Sequence, residues 1–141
     1  MGYSIMAYGT LALDTIQSST AGTPPQFNDG NGTQIGTLCR AWVNFNGITT
    51  AVIRASFNVS SVTRNSAGTY TIAFTNALPD ANYSTVYSVS QQFGTANLLG
   101  LVNTGASNVE VAPTTSAVVV STLTPAGGYG DLKYNCVSVF R

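Results

Sequence analysis

The amino-acid sequence predicts an all-β protein, an antiparallel, jelly-roll-like β-sandwich preceded by an extended N-terminal arm. From Leu38 onward apolar and polar side chains alternate with a period of two, most clearly at Tyr70, Ile72 and Phe74. Turn-forming residues recur every ~8–12 residues between these segments. No window of ~11 residues carries the apolar stripe of an amphipathic helix. About eight or nine short strands separated by regular turns are typical of a two-sheet sandwich.

The predicted strands follow one another through residues 38–141, which we expect to form the sandwich domain. They are 40–45, Ala51–Ala55, Phe57–Thr63, 69–75, Tyr83–Ser90, Leu98–Asn103, Val109–Ala112, Val118–Leu123 and Tyr134–Phe140. The single tryptophan, Trp42, and several Tyr and Phe are expected to give the core its bulk. Sheet edges need cover, and with so few charged residues we expect it from self-association or from a neighbour's arm.

Residues 1–37 form the predicted arm, which we expect to attach the chain to another protein or to mediate its oligomerisation. Only Thr10–Ile16 has the character of a short strand. The Pro24-Pro25 pair favours an extended chain, and Asp29-Gly30 and Asn31-Gly32 mark tight turns. Such a segment is either disordered or packed along another chain. The apolar residues expected to make assembly contacts are Leu11, Leu13, Ile16, Pro24, Pro25 and Phe27.

The composition restricts the partners. Charged residues make up only 7% of the 141 residues, and five basic side chains balance five acidic ones. A surface with so little net charge is weakly protected from self-association, which predicts an oligomer. The basic residues stand singly, so no nucleic acid is expected. No apolar run reaches 18 residues and the N-terminus lacks signal-peptide character, so neither membrane insertion nor general export is expected.

Enzymatic chemistry is not expected, because the sequence contains no histidine. The acidic residues are far apart, and Asp29, Asp80 and Asp131 have the surroundings of solvated turn residues. The run Asn28–Gly32 resembles a calcium loop only superficially, since no acid closes it before Asp80. We therefore predict no catalytic residue, no metal and no cofactor.

Two further sets of residues leave alternatives open. Cys39 and Cys136 are expected to be buried thiols, although a late disulfide between them stays possible. Loop aromatics with polar neighbours can stack on sugar rings, and the candidates are Tyr83, Tyr87, Phe93 and Tyr129. The alternative is that Tyr83 and Tyr87 face inward from strands and that Phe93 covers a sheet edge.

Four stretches carry a family resemblance: Leu38–Gly47, Ala51–Val62, Gly68–Thr75 and Leu78–Tyr83. Together they resemble a module of tailed bacteriophages, particularly marine phages and cyanophages, where it looks like the C-terminal domain of tail-fibre and other virion surface proteins. Asp14–Thr20 with Phe27–Gly30 is similar to segments that precede such modules in trimeric fibres. The resemblance covers about residues 7–83 and 136–141, and the start Met6–Gly9 leaves open whether the chain begins at Met1 or Met6.

The resemblance implies a virion structural protein, made in the host cytoplasm, with a homotrimeric tail-fibre or receptor-binding subunit as the first assignment. The resemblance does not extend to residues 84–133, which would meet a host surface glycan or protein, with Tyr129, Phe93 and Tyr87 as receptor contacts. The short arm favours an alternative, a capsid decoration (cement) protein that binds the major capsid protein through residues 1–37. A small carbohydrate-active enzyme is a third reading, disfavoured by the missing histidine.

Overall fold

The computed structural model describes residues 13–20, 25–90, 99–124 and 126–141, except for the side chain of Asn108. Within these residues the regular structure is β-strand apart from one short 3₁₀ turn, which confirms the all-β class. The chain divides into a unit of residues 1–36 and a unit of residues 37–141. No helix of the described residues is long and apolar enough to cross a membrane.

The strands are short and numbered in chain order. They are β1 (Phe27–Asn28), β2 (Gln34–Gly36), β3 (Cys39–Asn46), β4 (Val52–Phe57), β5 (Val59–Ser66), β6 (Thr69–Phe74), β7 (Ser84–Val89), β8 (Leu99–Val102), β9 (Ala117–Leu123) and β10 (Asn135–Phe140).

The N-terminal unit contains a small hairpin that the sequence did not predict. Strands β1 and β2 pair antiparallel across the turn 29–33. The Asp29 carboxylate closes the turn by accepting hydrogen bonds from the backbone N–H groups of Asn31 and Thr33, both 2.9 Å. The Asp-Gly and Asn-Gly pairs are therefore the turn of a hairpin. The predicted strand Thr10–Ile16 is wrong in its described part, since residues 13–16 form no strand.

The second unit consists of two four-stranded sheets in which every pairing is antiparallel. The first sheet has the strand order β4-β3-β10-β7 and the second has the order β5-β6-β9-β8. Three pairs of consecutive strands, β3–β4, β5–β6 and β8–β9, are neighbours within one sheet. The chain therefore changes sheet between β4 and β5, β6 and β7, β7 and β8, and β9 and β10.

The inner faces of both sheets contribute to one core. Alternation along β3 sends Ala41, Val43 and Phe45 inward, where each is at most 1% exposed. Phe45 meets Tyr70 of the second sheet edge-to-face, with ring centroids 5.0 Å apart. The expectation that Trp42 adds core bulk is wrong, because it occupies the opposite parity of β3 and is 38% exposed.

Two predicted strand boundaries differ from the structure. The prediction Phe57–Thr63 ran through Asn58, which turns the chain from β4 into β5 with a φ of 54°. Its side-chain amide braces this corner by donating to the carbonyls of Arg40 (3.0 Å) and Asn76 (3.1 Å). The predicted strand Val109–Ala112 is wrong. That segment closes a small loop instead, through an isolated bridge between Thr104 and Glu110.

Candidate ligand-binding face

The outward surface of the first sheet, here called the outer face, carries three exposed apolar side chains in a row that also includes the half-buried Ser138. Phe57, Trp42, Ser138 and Val86 are successive cross-strand partners on β4, β3, β10 and β7. Phe57 is 55% exposed and Val86 54%. Cross-strand partners lie about 5 Å apart, so the side chains of Phe57 and Trp42 are neighbours on this face. Alternation on a half-buried sheet normally makes such positions polar, which makes this row a candidate contact site.

A concavity of about 280 Å³ lies at one end of this row. It is lined by Arg40, Phe57, Asn58, Thr75 and Asn76. Three buried side-chain polar atoms of the described residues lack a hydrogen-bond partner: Arg40 Nη1, Thr85 Oγ1 and Asn103 Oδ1. Of these only Arg40 carries a charge, so a residue that lines the concavity has a guanidinium nitrogen that has lost its water without gaining an acceptor.

A second group of cations, from β4 and from the loop before β10, lies beside Asn44 of β3. The Arg54 guanidinium stacks over the Tyr134 ring, 4.4 Å from its centroid, and Lys133 Nζ lies 5.8 Å from the same centroid. Arg54 also donates hydrogen bonds to Asn44 Oδ1 (3.2 Å) and to the Lys133 carbonyl (2.6 Å). The stack fixes the guanidinium beside Asn44, an outward residue two positions beyond Trp42.

The outer face has an unbalanced positive charge. None of its four strands, all of which the structure describes, contains Asp or Glu. The two ion pairs within the described residues lie elsewhere, between Arg64 and Asp131 at 2.8 Å and between Arg141 and Asp80 at 2.6 Å. The hydrogen bonds from Arg141 and from the Asn82 N–H hold the pKa of Asp80 below its usual value. Arg40, Arg54 and Lys133 therefore have no acidic partner among the described residues.

Asp131 has a structural role, and its expected place in a solvated turn is wrong. The half-buried carboxylate accepts hydrogen bonds from Arg64 Nε (2.9 Å), the Gly68 N–H (2.7 Å) and the Tyr70 hydroxyl (2.8 Å). Burial pushes its pKa upward, but the hydrogen bonds from Arg64, Gly68 and Tyr70 outweigh burial, and the net pKa is lowered. Burial, followed by the bond to Asp131, raises the pKa of Tyr70. These groups hold a loop in place and offer no free acid or base.

Tyr87, a predicted receptor contact, faces the interior. Its hydroxyl donates to Asn135 Oδ1 at 2.8 Å and lies 2.9 Å from Thr122 Oγ1. Burial raises its pKa to about 12. Tyr83 is bound similarly, with its hydroxyl 3.0 Å from the Ala117 carbonyl. Tyr87 therefore takes the inward strand position that the sequence left as the alternative to sugar binding, whereas Tyr83 is half-buried just before β7 begins.

The remaining predicted contacts are dispersed. Tyr129 is half-buried and forms an isolated antiparallel bridge with Leu123. Phe93, Leu11 and Pro24 lie outside the described residues. Of the other arm residues, Pro25 is half-buried, and three are exposed: Leu13 54%, Ile16 64% and Phe27 43%.

Sequence reasoning missed the residues of the outer face. The signal available in the sequence is the alternation along β3, which places Arg40, Trp42 and Asn44 opposite the core positions. Trp42 was nevertheless assigned to the core because of its size. The arm prediction also left out Ile35, which is 70% exposed.

Two other potential sites offer less chemistry. A concavity of about 340 Å³ is lined by Thr49, Thr50, Ala51, Val62, Thr63 and Arg64, but its one charged side chain is already paired with Asp131. Among the described residues no three His, Cys, Asp or Glu side chains gather as a metal site. No family model matches the chain, and neither a curated protein nor a solved structure is significantly similar to it.

Proposed function

We propose that the chain is a non-enzymatic structural protein of a tailed-phage virion, and within the virion a trimeric tail-fibre or receptor-binding subunit. The virion assignment rests on the sequence resemblance of residues 38–83. The structural observation that carries the binding role is the outer face, where Trp42 and Phe57 stand exposed beside the unpaired Arg40 cation. Exposed aromatic and arginine side chains on a rigid scaffold are typical of contact sites.

The placement of the acidic side chains supports a non-enzymatic role. Asp80 and Asp131 are each held by an arginine, and Asp29 is committed to a hairpin turn. Hydrolysis by paired carboxylates needs two acids across one bond, and these three serve separate structural contacts. With no histidine in the sequence, the commonest general base is missing as well.

We further infer that the two sheets form a β-sandwich and that three copies associate. The shared core of Phe45, Tyr70 and their neighbours supports the sandwich. Within the part of the chain that the structure describes, β4, β7, β5 and β8 are the edge strands, and association would cover their outer sides. Three pairs of consecutive strands are hairpins within one sheet, and this connectivity does not by itself define a jelly roll. A jelly-roll-like connectivity therefore stays a prediction. Sedimentation at micromolar concentration tests association, and a clean monomer would contradict the trimer.

The receptor-binding role is tested on the particle and on the host cell. Gold-labelled antibody against the chain is expected to bind the tips of phage tails. Purified protein is expected to adhere to host cells and to reduce adsorption of the phage. Labelling of tails without any competition for adsorption would keep the virion assignment and remove the receptor-binding role.

A capsid decoration protein is the second candidate, favoured by the apolar surface of the N-terminal unit. Leu13, Ile16, Phe27 and Ile35 are each 43–70% exposed, which is unusual for a segment surrounded by water. Such side chains suit attachment to another protein, including the shell of a phage head. Antibody that labels heads and leaves tails unlabelled would establish this role and exclude the first.

A further inference from the structure

We propose that the outer face binds an acidic glycan that lies along β3, with its carboxylates at Arg40 and at the Arg54–Lys133 pair and a sugar ring against Trp42 and Phe57. This inference names a ligand for the proposed receptor-binding role, and the choice of a glycan as that ligand rests on the role. It places the contact on a sheet face, in contrast to the loop aromatics that the sequence suggested.

Charge complementarity is the first reason. Three of the chain's five basic residues lack an acidic partner within the described part of the chain, and all three lie on or beside this one face. Arg40 lines the concavity, and one nitrogen of its guanidinium is buried without an acceptor. A carboxylate matches the fork of a guanidinium and would supply the missing counter-charge.

The spacing of the cations is the second reason. Arg40 and Asn44 are separated by four residues of one strand, which places their Cα atoms roughly 13 Å apart. Asn44 accepts a hydrogen bond from Arg54, so the Arg54 guanidinium lies beside Asn44 at the other end of this stretch. A single small anion does not span it, whereas an oligosaccharide with acidic groups on separate rings does.

The surface between the cations suits sugar rings. Trp42 and Phe57 are cross-strand neighbours with exposed ring surface midway between Arg40 and Asn44. Aromatic faces pack against the C–H faces of pyranose rings and bury them from water. The exposed side chains of Thr75 and Asn76 at the rim of the concavity can exchange hydrogen bonds with sugar hydroxyls.

A nucleic acid fits this face less well than a glycan does. Single strands carry a phosphate at every nucleotide, and proteins that bind them provide a continuous positively charged groove. Here the stretch between Arg40 and Arg54 is occupied by Trp42 and Phe57 with no further cation. Cations that are separated by aromatic side chains favour a polymer with widely spaced negative charges, such as an acidic glycan.

The test uses the chain's single tryptophan, Trp42, as the reporter, since it lies within the proposed site. The purified protein is titrated with a uronic-acid oligosaccharide, with a neutral oligosaccharide of equal length and with a single-stranded oligonucleotide. We expect the uronic-acid oligomer alone to change the Trp42 fluorescence, with an affinity that falls as salt is added. An equal response to the neutral oligomer, or tighter binding of the oligonucleotide, would overturn the proposal.

Variants separate the site from the general charge of the protein. R40Q is expected to weaken binding about tenfold or more, because it removes a charge-assisted contact. The matched control R141Q removes the same charge from an arginine that is already paired with Asp80, and binding should change less than about twofold. Phe57→Ala keeps the reporter and should weaken stacking. Equal losses in R40Q and R141Q would overturn the site.

The two levels of the proposal fail separately. If antibody labels tail tips and the protein blocks adsorption but no uronic-acid oligomer binds, the receptor-binding role stands and the acidic-glycan inference falls. If the oligomer binds at Arg40 and no virion is labelled, the glycan site stands and the virion role falls.

Discussion

The Tyr70 hydroxyl donates a hydrogen bond to the Asp131 carboxylate across 2.8 Å, which ties the centre of the second sheet to the loop that leads into β10. The same hydroxyl lies 3.0 Å from the carbonyl oxygen of Gly47, in the turn after β3. Arg64 from β5 reaches the other side of the carboxylate at 2.8 Å. The carboxylate therefore joins β5, β6 and the loop that leads into β10, and the Tyr70 hydroxyl adds the turn after β3.

Stability should fall in acid because of this carboxylate. The folded-state pKa of Asp131 lies below the usual value of 3.8, so the unfolded chain takes up a proton first as the pH falls. The stabilisation is present above about pH 4 and is lost as the pH falls through the lowered folded-state pKa. Chemical denaturation measured between pH 7 and pH 2 should show a decrease in the free energy of unfolding below about pH 4.

The variant Asp131→Asn isolates this contribution. At neutral pH we expect it to destabilise the fold by about 1–3 kcal/mol, because Arg64 and Tyr70 lose a charged acceptor. Below about pH 4 its stability should change less with pH than that of the wild type. Glu110→Gln is the matched control, since the exposed Glu110 forms no ion pair within the described residues. An unchanged acid response in Asp131→Asn would show that the carboxylate does not control it.

Gly47→Ala should destabilise the fold by overpacking. A Cβ at Gly47 would collide with the Tyr70 hydroxyl and would come within 3.0 Å of Asn135 Nδ2. Both groups are buried and hydrogen-bonded, so neither can move freely. We expect a loss of about 1–3 kcal/mol, measured by urea unfolding. Gly30→Ala is the control, because a Cβ there meets nothing within 4 Å, and an equal loss in both variants would contradict the clash.

The two faces of β3 should respond differently to truncation. Phe45 is 0% exposed, and Phe45→Ala should cost about 3–5 kcal/mol through the cavity it leaves. Trp42→Ala removes the larger side chain but on the outer face, where about 1–2 kcal/mol is expected from lost cross-strand contacts. Thermal or urea unfolding measures both. A greater loss for Trp42→Ala would mean that Trp42 belongs to the core after all.

Local sequence patterns predicted most of the strands but not which side chains contact each other across the core. The period of two identified β3, β6, β9 and β10, because a strand buried on one face alternates residue by residue. The size of Trp42 suggested a core position, and that prediction was wrong. Its place in the alternation along β3, between the buried Ala41 and Val43, correctly indicates the outer face. The burial of Asp131 depends on Arg64 and Tyr70, which are more than 60 residues away along the chain. Such pairings follow from topology, which local sequence patterns do not determine.

The two cysteines should remain reduced within one chain. In the β3–β10 ladder Cys136 lies opposite Asn44 and Cys39 lies opposite Phe140. Cys39 is five residues from Asn44 along β3, roughly 16 Å, whereas a disulfide needs Cα atoms within about 7 Å. Both thiols are free, and the expectation that both are buried is wrong, since Cys136 is exposed and Cys39 half-buried. A bond between them would require the register of the sheet to change.

Intact-mass measurement of the native protein should therefore give the same value with and without reductant. Alkylation under native conditions should modify Cys136 first and Cys39 more slowly, because the rate follows the exposure of the thiol. Cys136→Ser is the control variant, and it should remove the fast phase while leaving the slow one. A native mass lower by a pair of hydrogens, restored by reductant, would show an internal disulfide and contradict the observed pairing of β3 with β10.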